Sequence, residues 1–386
     1  MSTSRRGRWP APSPEAIALD QLSAAIDLTC SNPSEVGLVH DEAVLAALAD
    51  PQALRYAPDP LGIASARASV CEYYAARGVT LDIDRVALCC GTSEAYSQWM
   101  WLTADPGDVW CVPQPGYPLL DVLAQLAGVE LRGYPLRWDG RWSIDLHALA
   151  SSIDARTRAI VAVAPGNPTG SYLGRTELDA IAELCAANDL LLVVDEVFAD
   201  HAIDVPGDRV RHVAGPLPCA CVVLSGLSKV AALPQLKLAW SAWHGPQPMH
   251  AAWWDGLAHV ADAWLSVATP VQLALPTLFA AGDAMRARID ERLRSNLATA
   301  RRIFAGTAID VLPVEGGWTL LLRLPALFDD HGWAIALARD ADVRVHAGWL
   351  FELATPPRVV ISLLTSPEQL AIGLDAIAQH VASVLR

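Results

Sequence analysis

The sequence predicts an α/β protein: a mostly parallel central sheet with helices on both faces, joined to a smaller α+β domain. Three observations predict it. The 386 residues exceed the roughly 250–300 at which one hydrophobic core stops growing, so a large and a small domain are expected. Five short, continuous apolar runs, Val86–Cys90, Val109–Val112, Ala159–Ala164, Leu190–Val194 and Cys221–Leu224, suit strands buried on both faces. Helical stretches alternate with them, and the texture changes after about residue 276.

In chain order, residues 1–15 read as an arm rich in Ser, Arg and Pro. Asp41–Ala49 reads as a short helix that stops before Pro51, and Arg67–Arg77 as a second helix ending at Gly78. Ser93–Leu102, Leu119–Leu126 and Glu177–Ala187 are the helices between the apolar runs. Ala284–Phe304 is a long helix of mixed charged and apolar residues. Trp318–Leu322 and Arg358–Leu364 follow as strands, with Trp333–Ala338 and Glu368–Leu385 as helices. The expected division is 1–45 for the arm and part of the small domain, 46–275 for the large domain and 276–386 for the rest of the small one.

Composition narrows the function. The chain is 53% hydrophobic and 18% charged, with a net charge of −14, which argues against nucleic acid or an anionic membrane as partner. Met1–Pro14 carries Arg5, Arg6 and Arg8 without an apolar stretch behind them, so it does not read as a signal peptide. Ala263–Gly282 is an uncharged run, but it contains Pro270, Pro276, Ser266, Thr269, Gln272 and Thr277, and reads as a buried helical segment rather than a membrane span. The eight cysteines form no CxxC pair and are expected to be buried, reduced thiols, which points to a cytoplasmic protein.

The chemistry-bearing residues cluster after the apolar runs. Gly91-Thr92-Ser93 follows Val86–Cys90 and opens a helix, which makes either a phosphate site or an ordinary helix cap. Pro165-Gly166-Asn167-Pro168-Thr169-Gly170 is a stiff loop that would aim Asn167 back over the strand end. Asp195 ends a buried strand, where a carboxylate needs a cationic or N–H partner, such as a protonated pyridine nitrogen or a metal. Glu196 beside it would point to the opposite face, against a shared metal. Lys229 ends the stretch Leu224-Ser225-Gly226-Leu227-Ser228-Lys229, where desolvation would make its amine a nucleophile, although a lone loop lysine is commonly a solvated charge.

Taken together and in this order, Gly91-Thr92-Ser93, the NPTG of Asn167–Gly170, the DEVF of Asp195–Phe198 and the SGLSK ending at Lys229 resemble fold-type I pyridoxal-phosphate enzymes, specifically class I/II aminotransferases, from about Leu28 to Leu364. The resemblance implies pyridoxal 5'-phosphate (PLP) as cofactor, with Lys229 as its Schiff-base lysine and the base that moves a proton. It implies Asp195 against the pyridinium nitrogen, Asn167 on the phenolic oxygen and Tyr117 on the ring face. Gly91, Thr92, Ser93, Lys237 and Ser225 or Ser228 would hold the phosphate. Tyr56, in Tyr56-Ala57-Pro58-Asp59-Pro60-Leu61-Gly62, would reach the phosphate of a partner subunit in a homodimer. Arg358, which by itself reads as a surface charge before an edge strand, would clamp the substrate carboxylate.

Departures accompany the match. Phe198 stands where many relatives have tyrosine, Lys237 where most have arginine, Gly226 where a phosphate-binding hydroxyl is common, and Ser31 where glycine is frequent in the substrate-side loop. No second arginine is placed in the pocket, and Trp318 and Trp349 lie in segments that line its mouth or simply pack a core. A neutral or aromatic amino donor is therefore expected, with a 2-oxo acid as acceptor. A PLP-dependent C–S β-lyase is the alternative, and a non-catalytic protein of the same fold is opposed by the intact Lys229, Asp195 and Asn167.

Overall fold

A computed structural model of the protein describes residues 4–8, 11–213, 217–245, 249–353 and 356–386. An eight-stranded sheet lies at its centre: β1 (Val86–Cys89), β2 (Val109–Gln114), β3 (Glu130–Trp138), β4 (Trp142–Ile144), β5 (Thr157–Val163), β6 (Leu191–Asp195), β7 (Cys221–Gly226) and β8 (Ala239–His244). The spatial order is β1-β8-β7-β6-β5-β2-β3-β4. Strands β7, β6, β5, β2 and β3 run parallel. Strand β8 is antiparallel to both β7 and β1, and β4 is antiparallel to β3.

All five apolar runs are strands of this sheet, and alternation along them feeds two cores. Val86 and Leu88 of β1 face one, Ala87 and Cys89 the other. Three strands do not follow from apolar runs. β3 carries Glu130, Arg132 and Arg137 and is only partly buried near the sheet edge, so its polar residues hide it. β4 is a three-residue edge strand. β8 is fully buried, but its sequence AWSAWH interrupts the aliphatic pattern with Ser241 and two tryptophans.

The helix expected over Asp41–Ala49 is a single turn, Ala43–Ala46, followed by a separate 3-10 turn at Pro51–Leu54. Asp41 and Asp50 each accept the backbone N–H two residues on, which breaks the stretch into two local turns. The helix expected at Arg67 starts earlier, at Ala64. The eight cysteines are free and five of them are buried; Cys30 and Cys71 are half-buried and Cys90, just past β1, is exposed, which departs from the expected pattern. Among the described residues no helix is long and apolar enough to cross a membrane.

The long helix begins before Ala284: it runs Leu275–Phe304, 30 residues, or about 45 Å. Leu275 and Leu278 pack into the core of the large sheet. Met285, Ile289, Leu293, Leu297, Ala300 and Phe304, spaced by three and four, pack into a second core. That core is covered by a four-stranded antiparallel sheet in the order Asp310–Val311, Thr319–Arg323, Arg358–Ser362, His346–Ala347. Helices Asp330–Asp340 and Pro367–Val384 complete it. Ile26–Asp27 pairs in parallel with Val343–Arg344, so an N-terminal segment joins the C-terminal residues.

Candidate active site

Register puts the chemistry-bearing loops at one end of the large sheet. Ala239 pairs with Cys89 on one side and with Gly226 on the other. The helix starts that follow β1 and β7 are therefore only two strand spacings apart, about 10 Å. Asp195 pairs with Leu224 and with Val163, so the loop holding Asn167 emerges beside them. Carboxyl ends of parallel strands are where such sheets bind ligands. A cavity of about 800 Å³ opens there.

Of the residues singled out from sequence, Ser31, Thr92, Tyr117, Asn167, Asp195, Phe198, Ser228 and Lys229 line this cavity. Gly91 precedes the helix Thr92–Thr103 with no side chain capping it, and a Cβ there would meet nothing within 4 Å. Ser93 follows in the same first turn. Ser225 is buried behind the lining. Lys237, in a left-handed conformation, does not line the cavity; burial and then Glu94 push the nearby Cys90 thiol up to about 11, with the Lys237 charge opposing the rise.

Tyr56 is 87% exposed and does not line the cavity of its own chain. One expectation is corrected. Arg358 is not a surface charge: it is 5% exposed, because its strand is the third of four in the small sheet. Nor does it line the cavity; its guanidinium carbon sits 5.5 Å from the Trp142 ring centre, and Trp142 is the lining residue. Burial holds the Arg358 pKa below its ordinary value, and nearby Arg323 adds to this.

Lys229 Nζ stands 4.4 Å from the Trp318 ring centre and 5.3 Å from that of Phe198. Burial lowers its pKa to about 8, against the opposing pull of Asp195. Asp195 is raised to about 6 by burial, although the Val197 N–H and the Tyr96 hydroxyl each donate to it at 3.0 Å. Glu196 turns to the other face, where it accepts from the Val213 N–H and meets His212 Nδ1 at 3.0 Å. The two acids thus diverge as strand geometry requires.

The Asn167 loop is anchored to the small sheet. Gly170 carbonyl accepts the N–H groups of Glu315 and Gly316, and Thr319 donates its hydroxyl to Pro168 O at 3.2 Å. Gly170 has φ +67°, and a Cβ would lie 2.4 Å from Val314 Cγ2, so no other residue fits. At Gly226 the backbone is extended, but a Cβ would lie 2.7 Å from Ala239 Cβ.

Sequence reasoning missed Tyr96 and Trp142. Tyr96 lies four residues after Thr92, one turn along the same helix face, and that spacing was the available signal. Trp142 lies on the unrecognised β4.

Comparison with known proteins agrees with this geometry. The family model for aminotransferase class I and II matches residues 26–377. The chain is 30% identical over 268 residues to the glutamate-pyruvate aminotransferase AlaA of Haemophilus influenzae, covering 68% of this chain and 66% of that protein. It is 28% identical to the protein of the same name from Escherichia coli, covering 64% of its length, so both matches span just under two thirds of these relatives. An alanine aminotransferase of Mycobacterium bovis is 26% identical over 376 residues, 93% of this chain and 86% of that one. Among solved structures, a Thermus thermophilus aspartate aminotransferase mutant superposes with a TM-score of 0.84 at 22% identity, covering 98% of this chain and all of that one, which shows the shared fold. With its sheet, its cavity and the residues that line it, the chain belongs to the aminotransferase class I and II family.

Proposed function

We propose that the protein is an aminotransferase that moves an amino group between a neutral or aromatic L-amino acid and a 2-oxo acid, using PLP held by Lys229. The observation that carries this reading is one cavity that gathers Lys229, Asp195 and Asn167 and leaves buried polar atoms without partners. Asn167 Oδ1 and Ser225 Oγ are both buried and unbonded among the described residues. Such atoms are costly unless a ligand satisfies them. The uncapped helix start at Gly91, with open space above it, suits a phosphate. The residues present therefore fit the group.

When bound, PLP supplies an electron sink for negative charge on the amino-acid Cα. Lys229, with a pKa near 8, can bond the cofactor through its neutral amine and then hold and move the Cα proton. Asp195 pairs with the ring nitrogen proton and keeps it in place. Asn167 meets the phenolic oxygen, and Phe198 offers no second donor there. Gly91, Thr92, Ser93, Ser225, Ser228 and Lys237 are assigned to the phosphate. Tyr117, 56% exposed, stands at the cavity mouth where it can cover a ring face.

On the substrate side, Ser31 donates its hydroxyl to Ser362 at 3.0 Å, and both line the cavity. We assign the substrate carboxylate to this pair, with Arg358 lending its charge from beside Trp142. Trp142, Trp318, Trp349 and Phe351 supply apolar lining, and no arginine is among the described lining residues, which supports a neutral or aromatic side chain over a second carboxylate. Tyr56, exposed in one chain, fits a homodimer in which it reaches the partner's site. Eight free thiols support a reducing compartment, the cytoplasm.

The test is the absorption spectrum of the PLP-loaded protein. A band near roughly 410–430 nm, absent in Lys229→Ala, is expected for the lysine linkage. An amino acid should shift it reversibly to about 330 nm, and a 2-oxo acid should restore it. Pyruvate released with no oxo-acid acceptor would replace this reading with a lyase.

A further inference from the structure

His201 lies six residues beyond Asp195 and is completely buried. Its Nε2 is 3.0 Å from the backbone carbonyl oxygen of Lys229. Its Nδ1 is 3.2 Å from Asp290 Oδ1, on the long helix Leu275–Phe304. Its ring centre is 5.1 Å from that of Trp318 and 6.5 Å from that of Phe198, the two rings beside Lys229 Nζ. Its own carbonyl accepts the Gly317 N–H at 2.9 Å, one residue before Trp318.

A leucine could fill this space, so the polar ring needs a reason. Lys229 sits in a helical turn of four residues, Leu227–Val230, too short to bond its own last carbonyls. His201 Nε2–H donates to the one on Lys229. At the other end of the ring, a proton shared between Nδ1 and Asp290 Oδ1 at 3.2 Å fixes which way the ring stands.

We infer that His201 is a positioning residue for Lys229: it fixes the lysine backbone and, through ring contact, the Trp318 face on which Nζ rests. This rests on the Schiff-base role proposed above for Lys229. Misplacing a reacting amine by about 1 Å can cost on the order of 100-fold in rate.

The test uses PLP-loaded protein and three variants, His201→Phe, His201→Gln and Asp290→Asn. Phe keeps a ring without the donor; Gln keeps a donor near the reach of Nε2. His201→Phe is expected to lower kcat by about 10- to 100-fold, with KM for the amino donor within about 3-fold. It should also slow formation of the Lys229 band when PLP is added to cofactor-free protein. His201→Gln should recover most of both rates, and Asp290→Asn should fall between. Equal losses in Phe and Gln, or wild-type rates in Phe, would overturn the inference. Should the Phe variant not fold, wild-type rates in Asp290→Asn would overturn it alone. A wild-type protein without the lysine band fails the Lys229 reading and takes this one with it; an intact band with unmoved variants fails only this inference.

Discussion

Tyr96 donates its hydroxyl hydrogen to Asp195 Oδ2 at 3.0 Å, across a span of 99 residues that joins the helix Thr92–Thr103 to the end of strand β6. The bond works against desolvation, the larger effect, which still leaves the carboxyl at about 6. Removing it in Tyr96→Phe should push that value up and weaken the pairing with the ring nitrogen. A hydrogen bond to a charged group is worth about 1.5–3 kcal/mol, so PLP affinity should fall by roughly 10- to 100-fold. Spectral titration of the cofactor-free variant measures it; an unchanged Kd would mean that the Val197 N–H suffices.

The Lys229 amine should be half neutral near pH 8 rather than near its ordinary 10.5. PLP attachment to cofactor-free protein should therefore speed up as pH rises through about 8 and level off above it. The unfolded chain binds the extra proton between these two values, so burying Lys229 costs stability below pH 8, and that cost fades as pH rises to 10.5. A rate that keeps climbing to pH 10 would show an ordinary, solvated lysine.

Ser31→Ala should raise KM for the amino donor about 3- to 10-fold with little change in the cofactor band. Arg358→Leu should do no more than that, since Arg358 is not among the residues that line the cavity. A loss beyond about 100-fold would place the guanidinium directly on the substrate, as a two-pronged grip.

His212 supplies a pH-dependent element of stability. Burial disfavours its charge, but Asp200 and Glu196 outweigh this and raise its pKa to about 9. The raised value stabilises the fold fully below the ordinary value of 6.5, and the contribution is lost as pH rises through 9. Thermal midpoints between pH 6.5 and 9 should decline in the wild type and decline less in His212→Gln. Parallel slopes would sever the link to this histidine.

Much of the sheet, and the gathering of several chemistry-bearing residues at one cavity, was legible in the sequence, for a definite reason. Strands buried on both faces must be apolar throughout, so β1, β2, β5, β6 and β7 announce themselves, and the loops after them are fixed by chain order alone. β3, near the edge, and β8, built from tryptophan, alanine, serine and histidine, carry no such signature. The substrate side was harder, because it depends on tertiary placement. Arg358 has the right residue type and strand, yet it does not line the cavity, and the Trp142 ring beside it comes from a strand with no sequence signal of its own. His201 reads as a loop residue until the carbonyl of Lys229 is seen to face it.

The tight contact between Gly226 and Ala239 limits what position 226 can carry. A serine there would place its Cβ 2.7 Å from the Ala239 Cβ. Replacing Ala239 by glycine first would still leave the Ala239 Cα at 3.0 Å and the Leu238 carbonyl oxygen at 3.2 Å from the new atom. The backbone of strand β8 would then have to give by a few tenths of an ångström, so an engineer who wants a hydroxyl at 226 must alter Ala239 and make room in the main chain beside it.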